Sequence, residues 1–319
     1  MPRNYQLLFE HAGVGIIELM FDGTILVSNP SAALLFGYST EQLTSMNVLD
    51  ITHPDDIHKT TQALEQVING EVAVAVVEKR YFRADGSIVW SRSRVSLLRD
   101  DCGQAHSCVA VIADITELKE IQFSLRQAND HLHETLAASL LSLGLVLEAR
   151  DLETSGHTQR VVALSAQLAQ AFGLPVGEVE ELKQGAYLHD IGKLTIPDAV
   201  LTKPASLDDD EWILMKKHAP AGHALASMMP TLSRQALLVI RHHHERWDGS
   251  GYPDGLAGEE IPLLARIFTV CDVYDALRSE RPYKRAWTHE QAVAELLAER
   301  EKKFDPKVVA TFIELTQRV

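Results

Sequence analysis

The sequence predicts a multidomain protein with an N-terminal α+β domain (an antiparallel sheet with flanking helices), a helical linker and a C-terminal all-α domain. Three observations lead to this fold class. Strand-like runs separated by turn dipeptides fill residues 1–118. Apolar residues then recur at spacings of three and four through residues 119–139, and residues 140–319 carry helix signals with little β-branched alternation. A length of 319 residues also favours two domains.

Composition limits the class of protein. Hydrophobic residues make up 46% and charged residues 23%, as in soluble globular proteins. The formal net charge of −14 argues against binding to a nucleic-acid polymer or to an acidic membrane surface, but a local site can still oppose this sign. We expect a cytoplasmic protein, because Cys102, Cys108 and Cys271 suggest no disulfide framework and no signal peptide is evident. We also expect no membrane span, since the most apolar segment, 137–147, is about half the required length.

The first domain is predicted to consist of short strands and helices separated by turn residues. The run Val14–Met20 leads through Asp22-Gly23, a turn dipeptide, into a second short strand. Ser39 and Gln42 have the spacing of a capping box and predict a short helix. A helical stretch follows and ends near Asn69-Gly70. Three long strands separated by hairpin turns complete the domain: Val72–Arg83, Ser87–Arg99 and Gln104–Thr116.

The linker has the apolar spacing of a coiled coil. Its seam positions follow a 3–4–3–4 pattern: Leu118, Ile121, Leu125, Ala128 and Leu132. A run of four-residue steps from Ala128 to Leu140 then shifts the phase of the seam. We predict a linker helix that pairs with a second copy and gives a homodimer. The alternative is one amphipathic helix that packs on its own domain.

Histidines and carboxylates cluster in the C-terminal part of the chain. Seven of the 14 histidines lie between His157 and His244. Asp272 and Asp275 share one face of an apolar helical segment, where an acid needs a partner or a metal ion. Imidazole and carboxylate ligands without thiolate suit Fe, Mn or Zn. Two such ions lower the pKa of a shared water and hold the oxygens of a phosphodiester, so the pattern predicts a di- or trinuclear metal hydrolase.

The same residues resemble a known family. His189-Asp190-Ile-Gly-Lys193 resembles the HD motif of the HD phosphohydrolase superfamily. The segment from His243-His244-Glu-Arg-Trp to Gly251-Tyr252-Pro253 resembles the extended signature of its HD-GYP branch. The resemblance covers about Leu140 to Val319. It implies an all-helical domain that hydrolyses cyclic di-GMP to the linear dinucleotide pGpG and, in many members, on to GMP.

The resemblance also implies a metal centre. Its metal ligands carry over onto His157, His189, Asp190, His218, His243, His244 and Asp272, with Asp190 as the bridging carboxylate. Family members with a glutamate at the position of Glu153 are associated with a third metal, so we expect two or three divalent ions, Fe or Mn, with three favoured. The alternative is a solvated glutamate at a helix start. We interpret His242 as a structural neighbour of the ligands.

Substrate contacts follow from the same resemblance. Lys193 is expected beside the reacting phosphate as a catalytic residue together with Asp190. Arg281 and Lys284 offer a guanidinium fork and an ammonium to the phosphates. Gly251 and Tyr252 lie in a turn that brings backbone and an aromatic ring toward the substrate, although Tyr252 could instead be a packing residue. The alternatives for the whole domain are a phosphodiesterase for another cyclic dinucleotide and a catalytically silent receptor.

Residues 1–118 resemble a PAS sensor domain. The resemblance rests on successive segments that include Phe9–Ile16, Asn29-Pro-Ser-Ala-Ala, Leu35–Leu43 and the terminal Asp114-Ile-Thr116. PAS domains bind haem, flavin or small metabolites, or act as interaction modules. No cysteine lies in a flavin-photoadduct motif. His58 is the haem-ligand candidate, and a solvated histidine is the alternative reading of that position.

Overall fold

The computed structural model describes residues 3–100, 102–151, 156–280 and 285–317. It divides the chain into two compact units, Met1–Asp130 and His131–Val319. The division falls inside the predicted linker. The domain ranges 1–118, 119–139 and 140–319 stay a prediction.

The first unit is a single antiparallel sheet covered by short helices. Its strands are β1 (Gly15–Leu19), β2 (Ile25–Ser28), β3 (Val74–Phe82), β4 (Ile88–Arg99) and β5 (Ala105–Asp114). Its helices are α1 (Arg3–Glu10), α2 (Pro30–Phe36), α3 (Thr40–Leu43) and α4 (Ile57–Ile68), with a 3₁₀ turn at Pro54–Asp56. The order across the sheet is β2-β1-β5-β4-β3, and every neighbouring pair is antiparallel.

Local sequence explains these elements. Ser39 and Gln42 form the predicted capping box at α3. Asn29 caps α2 through Oδ1, while its Nδ2 donates to the carbonyls of Phe9 and Val14. Alternation along the strands places residues such as Ile17 and Tyr81 in one core beneath the helices.

One long helix, α5 (Thr116–Asp151), follows the sheet. The seam residues Leu118, Ile121, Leu125 and Leu132 are exposed, whereas Leu140 further along the helix is buried in the second unit. Within the described chain, Thr116–Arg150 is long and apolar enough to cross a membrane by length and composition, a criterion that helices of soluble proteins also meet. The expected absence of a membrane span therefore stays a prediction.

The second unit is helical throughout its described part, apart from connecting turns. Its helices are α6 (His157–Ala171), α7 (Val176–Tyr187), α8 (Asp198–Leu201), α9 (Asp209–Lys216), α10 (His218–Ala226), α11 (Arg234–His242), α12 (Leu263–Arg278), α13 (His289–Ala298) and α14 (Pro306–Thr316), with 3₁₀ turns at Ile191–Thr195 and Gly258–Glu260. Helices α6, α7, α12 and α14 enclose its main core. An antiparallel sheet unit followed by an all-helical unit confirms the predicted fold class.

Candidate metal centre

Among the described residues, the helical unit holds three groups of metal-type donor atoms, and two of them, called the two clusters below, contain predicted ligands. The first joins Asp190, His218, His243 and His244, and the second joins His157, His189 and Asp272. Within each cluster, one donor atom from each residue lies within 4.8 Å of all the others. Seven of the eight residues that the sequence suggests as ligands are therefore brought together in the described structure.

Asp190 lies between the two clusters. Its Oδ1 is 3.5 Å from Nε2 of His218 and 3.9 Å from Nε2 of His243. Its Oδ2 is 3.1 Å from Nε2 of His189, in the other cluster. Each carboxylate oxygen thus faces a different group of imidazoles. This is the geometry that a bridging carboxylate requires.

Hydrogen bonds at Nδ1 fix the orientation of the histidine rings. His189, His218 and His243 each place Nδ1 at 2.7–2.9 Å from the backbone carbonyl three residues earlier in the chain. His157 places Nδ1 2.8 Å from the Asp275 carboxylate. Such partners set the tautomer, so that Nε2 is the ring atom able to bind a metal ion. All four Nε2 atoms belong to the two clusters.

The protonation states suit metal binding. Burial lowers the pKa of His244 to about 3, and burial with the adjacent His244 holds the pKa of His243 well below its usual value. Burial alone would raise the pKa of Asp190, but His189 and Lys193 outweigh it and hold that pKa well below the ordinary range. Neutral imidazoles and ionised carboxylates are the forms that bind metal ions. The donor set therefore fits divalent cations.

Lys193 and the Gly-Tyr-Pro turn border the clusters. Nζ of Lys193 lies 2.7 Å from Oδ2 of Asp190. The Tyr252 ring lies against the His244 ring with 4.8 Å between centroids. Gly251 cannot carry a side chain, because a Cβ there would stand 2.5 Å from Cα of Glu245. Glu245 itself accepts hydrogen bonds from the backbone N–H groups of Asp254 and Gly255 and so holds the turn in place.

A pocket of about 360 Å³ opens beside the clusters. His243, His244 and Asp272 form part of its wall, together with Gly251 and Tyr252. Trp212, Lys216 and Lys303 also line the pocket. Nζ of Lys216 lies 5.9 Å from the Trp212 ring and 5.7 Å from the Tyr252 ring. The pocket therefore offers aromatic faces and two ammonium groups next to the metal-type donors.

Several site residues were not predicted from the sequence. Asp275 pairs with His157 and also accepts two hydrogen bonds from Arg160, so it holds a candidate ligand in place. The sequence feature that points to Asp275 is its three-residue spacing from Asp272, which places both acids on one face of a helix. Glu148 is buried and accepts hydrogen bonds from the backbone N–H of Gly156 and of Thr158, at the start of α6. Neither Glu148 nor Lys303 belongs to a recognisable motif, and no sequence signal identifies them.

Some predicted site residues are not part of this description. Glu153, Arg281 and Lys284 lie outside the described residues. In the sheet unit, His58 is exposed on α4, so its predicted role as a haem ligand gains no support from the geometry.

His242 lies near the site but belongs to a different group. Its Nδ1 is 3.7 Å from Glu245 and 3.5 Å from Asp254, away from the two clusters. Asp254 is already paired with Arg241 through two hydrogen bonds. The structural role expected for His242 stays a prediction.

Comparison with known families decides the classification. The profile of the HD-domain family matches residues 145–308, which is more than half of the chain. The chain belongs to the HD-domain family. Residues 25–112 match the profile of the PAS fold. The prediction of a PAS domain fused to an HD domain of the HD-GYP type is confirmed.

Relatives of the HD domain include named phosphodiesterases. The cyclic di-GMP phosphodiesterase response regulator RpfG of Xanthomonas campestris is 46% identical over 188 residues, which cover 58% of this chain and 48% of the relative. The 3'3'-cGAMP-specific phosphodiesterase 2 of Vibrio cholerae is 42% identical over 184 residues, covering 57% and 35%. The chain thus spans about half or less of the length of these relatives. Among solved structures, a PAS domain from Colwellia psychrerythraea is 25% identical with a TM-score of 0.34, covering 36% of this chain and 97% of that one.

Proposed function

We propose that the protein is a metal-dependent phosphodiesterase that hydrolyses cyclic di-GMP to linear pGpG, GMP or both, under control of its PAS domain. The observation that carries this proposal is the position of Asp190, whose two oxygens face two separate clusters of imidazole donors. The named activities of the relatives of the HD domain support the same reaction class.

Different residues of the chain have separate roles in such a reaction. When bound, the divalent ions supply an activated water and polarise the phosphodiester. Asp190 and the surrounding histidines hold the ions, and the Nδ1 hydrogen bonds keep the imidazoles oriented. Lys193, held next to Asp190, places a positive charge where the phosphate gains negative charge. In this proposal Arg281 and Lys284 bind the remaining phosphate oxygens.

Product chromatography and metal analysis test this function together. The purified protein is incubated with cyclic di-GMP and with 3'3'-cGAMP, because a cGAMP-specific relative favours the second substrate as the alternative. The expected result is release of pGpG or GMP from cyclic di-GMP, by protein that contains at least two metal ions per chain. Binding of either nucleotide without any product would identify a silent receptor instead.

Metal content distinguishes a two-ion centre from a three-ion centre. We propose Fe or Mn as the metal and Glu153 as the ligand that adds a third ion. Glu153→Ala is then expected to lower the bound metal from three ions per chain to two, as measured by elemental analysis. Glu290→Ala, which removes an exposed glutamate in the same unit, is the matched control. An unchanged metal count in the Glu153 variant would contradict the third site.

Lys303 is proposed as a phosphate-binding residue on the pocket wall. Burial lowers the pKa of Lys303, with Arg246 adding to the effect, and the side chain lines the pocket beside Asp272. Removing a charged hydrogen-bond donor costs about 1.5–3 kcal/mol. Lys303→Met is therefore expected to raise KM about tenfold or more in steady-state kinetics. Lys302→Met removes the adjacent exposed lysine and should leave KM unchanged; equal KM values for both variants would remove Lys303 from the substrate site.

We also propose a homodimer formed through the PAS domain and the linker helix. The seam residues of α5 are exposed in the single chain, and burying them against a second copy would remove apolar surface from water. Leu125→Glu is expected to reduce the molar mass in light scattering from dimer to monomer. Gln127→Glu adds the same charge away from the seam and should keep the dimer. A monomeric wild-type protein would contradict the pairing.

The compartment and the PAS cofactor complete the proposal. A cytoplasmic location is supported by three unpaired cysteines, two of them buried, because unpaired cysteines are the usual state in a reducing compartment. Haem and flavin are the coloured cofactors that the PAS resemblance allows. An absorption spectrum of the purified protein tests both, and a colourless sample would exclude them.

A further inference from the structure

A lysine is buried inside the PAS domain. Lys79 lies on β3 and is 2% exposed. Along this strand the side chains of Ala75, Lys79 and Tyr81 alternate inward, toward the space between the sheet and α4. A lysine at such a position is unusual, because lysine is almost never fully buried unless it is paired with an acid.

The ammonium group of Lys79 has few partners. Its Nζ donates one hydrogen bond, of 2.7 Å, to Oγ1 of Thr60 on α4 and lies 4.6 Å from the centre of the Tyr81 ring. Among the described residues, no carboxylate oxygen lies within 4.0 Å of it. The nearest acids along the chain are engaged elsewhere: Asp56 binds Lys59 and Arg80, and Glu78 binds Arg92 and Lys119.

This arrangement leaves a buried positive charge without a counter-charge. Taking an ammonium out of water is costly even after the protein relaxes. A cation–π contact offsets part of this cost, and a neutral hydroxyl acceptor offsets less than an ionised one would. The charge of Lys79 is therefore suited to an anion that the chain itself does not provide.

Hydroxyl groups surround the same position. Ser91 faces Lys79 directly across the β3–β4 ladder, and Ser93 is its inward neighbour on β4. Both serines are fully buried. Their hydroxyls stand 3.5 Å apart, and that of Ser93 is 3.4 Å from the Tyr81 hydroxyl. The Ser91 hydroxyl donates to the backbone carbonyl of Lys79 at 3.2 Å. The long contacts of Ser93 and Tyr81 leave their hydroxyl protons able to turn toward a better acceptor.

Small apolar side chains are buried between α4 and the same strand: Ala63 and Val67 on α4 and Ala75 on β3. Charge limits the ligand. One ammonium balances one negative charge, whereas a phosphate dianion would carry a second, uncompensated charge into the interior.

We propose that the interior of the PAS domain binds a small organic monocarboxylate, with Lys79 as its counter-charge and the hydroxyls of Ser93 and Tyr81 as hydrogen-bond donors. This assigns a ligand class to the sensor domain, beyond the reaction proposed for the helical unit. The signal that the domain detects is then the concentration of such an acid.

Isothermal titration calorimetry on the full chain tests the proposal. The probes are the sodium salts of formate, acetate, propionate and butyrate, with acetamide as the neutral analogue of acetate and with inorganic phosphate. At least one monocarboxylate is expected to bind at one site per chain, and acetamide is not. Lys79→Met keeps the length of the side chain, removes its charge, and should weaken that binding about tenfold or more. Lys119→Met removes a lysine that lies over the Trp90 ring on the opposite sheet face and should leave the binding unchanged.

The Lys79 comparison also separates this site from the metal centre, where carboxylates can bind metal ions. Circular dichroism of the variant checks its fold, and Ser93→Ala is a second variant that keeps the charge and should weaken binding several-fold. The proposal is overturned if no monocarboxylate binds the wild-type chain or if acetamide binds as tightly as acetate. Equal binding by the wild type and a folded Lys79→Met variant, or tighter binding of phosphate than of every carboxylate, would overturn it as well.

Discussion

Asp190→Ala is expected to lower the turnover of cyclic di-GMP by at least about 1,000-fold. Removal of a single hydrogen-bond donor that stabilises a transition state already lowers kcat by about 100–1,000-fold. The reason lies in the two faces of this carboxylate. Oδ1 faces His218 and His243, and Oδ2 faces His189 and Lys193. Its removal takes away the carboxylate that faces both clusters and that lies 2.7 Å from Nζ of Lys193.

Turnover is measured by product chromatography and bound metal by elemental analysis of the same sample. His189→Ala removes a ligand from the second cluster and should have an effect of the same order. Asp210→Ala removes an exposed carboxylate from α9 and serves as the control, with activity expected to stay at the wild-type level. Hydrolysis retained by a folded Asp190→Ala variant would refute the assignment of Asp190 as the bridging ligand.

Gly192→Ala is expected to destabilise the helical unit by at least about 3 kcal/mol, the upper end of the usual cost of overpacking. A Cβ at this position would lie 1.8 Å from the carbonyl oxygen of His218 and 2.5 Å from the backbone nitrogen of Gly222. Both of these contacts are with the backbone of α10, so no side-chain rotation relieves them. The helix that carries His218 must move away from Asp190.

Urea unfolding gives the change in the free energy of unfolding, and elemental analysis gives the accompanying loss of metal. Gly177→Ala provides the matched control, because a Cβ there has no neighbour within 4 Å and alanine favours the helix more than glycine does. That variant is expected to be slightly more stable than the wild type. A Gly192→Ala variant with wild-type stability would show that the turn at Ile191–Thr195 and α10 can separate at little cost.

Local patterns in the sequence predicted much of the fold. The alternation in Val72–Arg83 and in the two runs after it corresponds to β3, β4 and β5, with ends shifted by up to two residues. The capping box at Ser39 forms as its spacing predicts. Such features depend on neighbours in the chain, and the sequence displays those neighbours directly.

The site was predicted in a different way. The family resemblance identified His189, Asp190 and the histidines of the first cluster, but a motif does not give the distances between its residues. Asp275 lies 118 residues from His157, and only the packing of α12 against α6 brings them together. The same holds for Lys303, which reaches the pocket from the segment before α14.

Lys79 marks the limit of sequence reasoning most clearly. A period of two places it on the same face as Tyr81, but this period alone does not tell an inward lysine from the outward ones common on strands. By itself the sequence determined the two domains, their element order and the residues able to bind metal ions, because periodicity, capping and motif spacing are local properties. Only the tertiary structure decided which donors converge on Asp190 and which acid orients His157. It also decided that Lys79 is buried with no carboxylate of the described residues beside it. These depend on contacts between distant segments, and on how much water those contacts exclude.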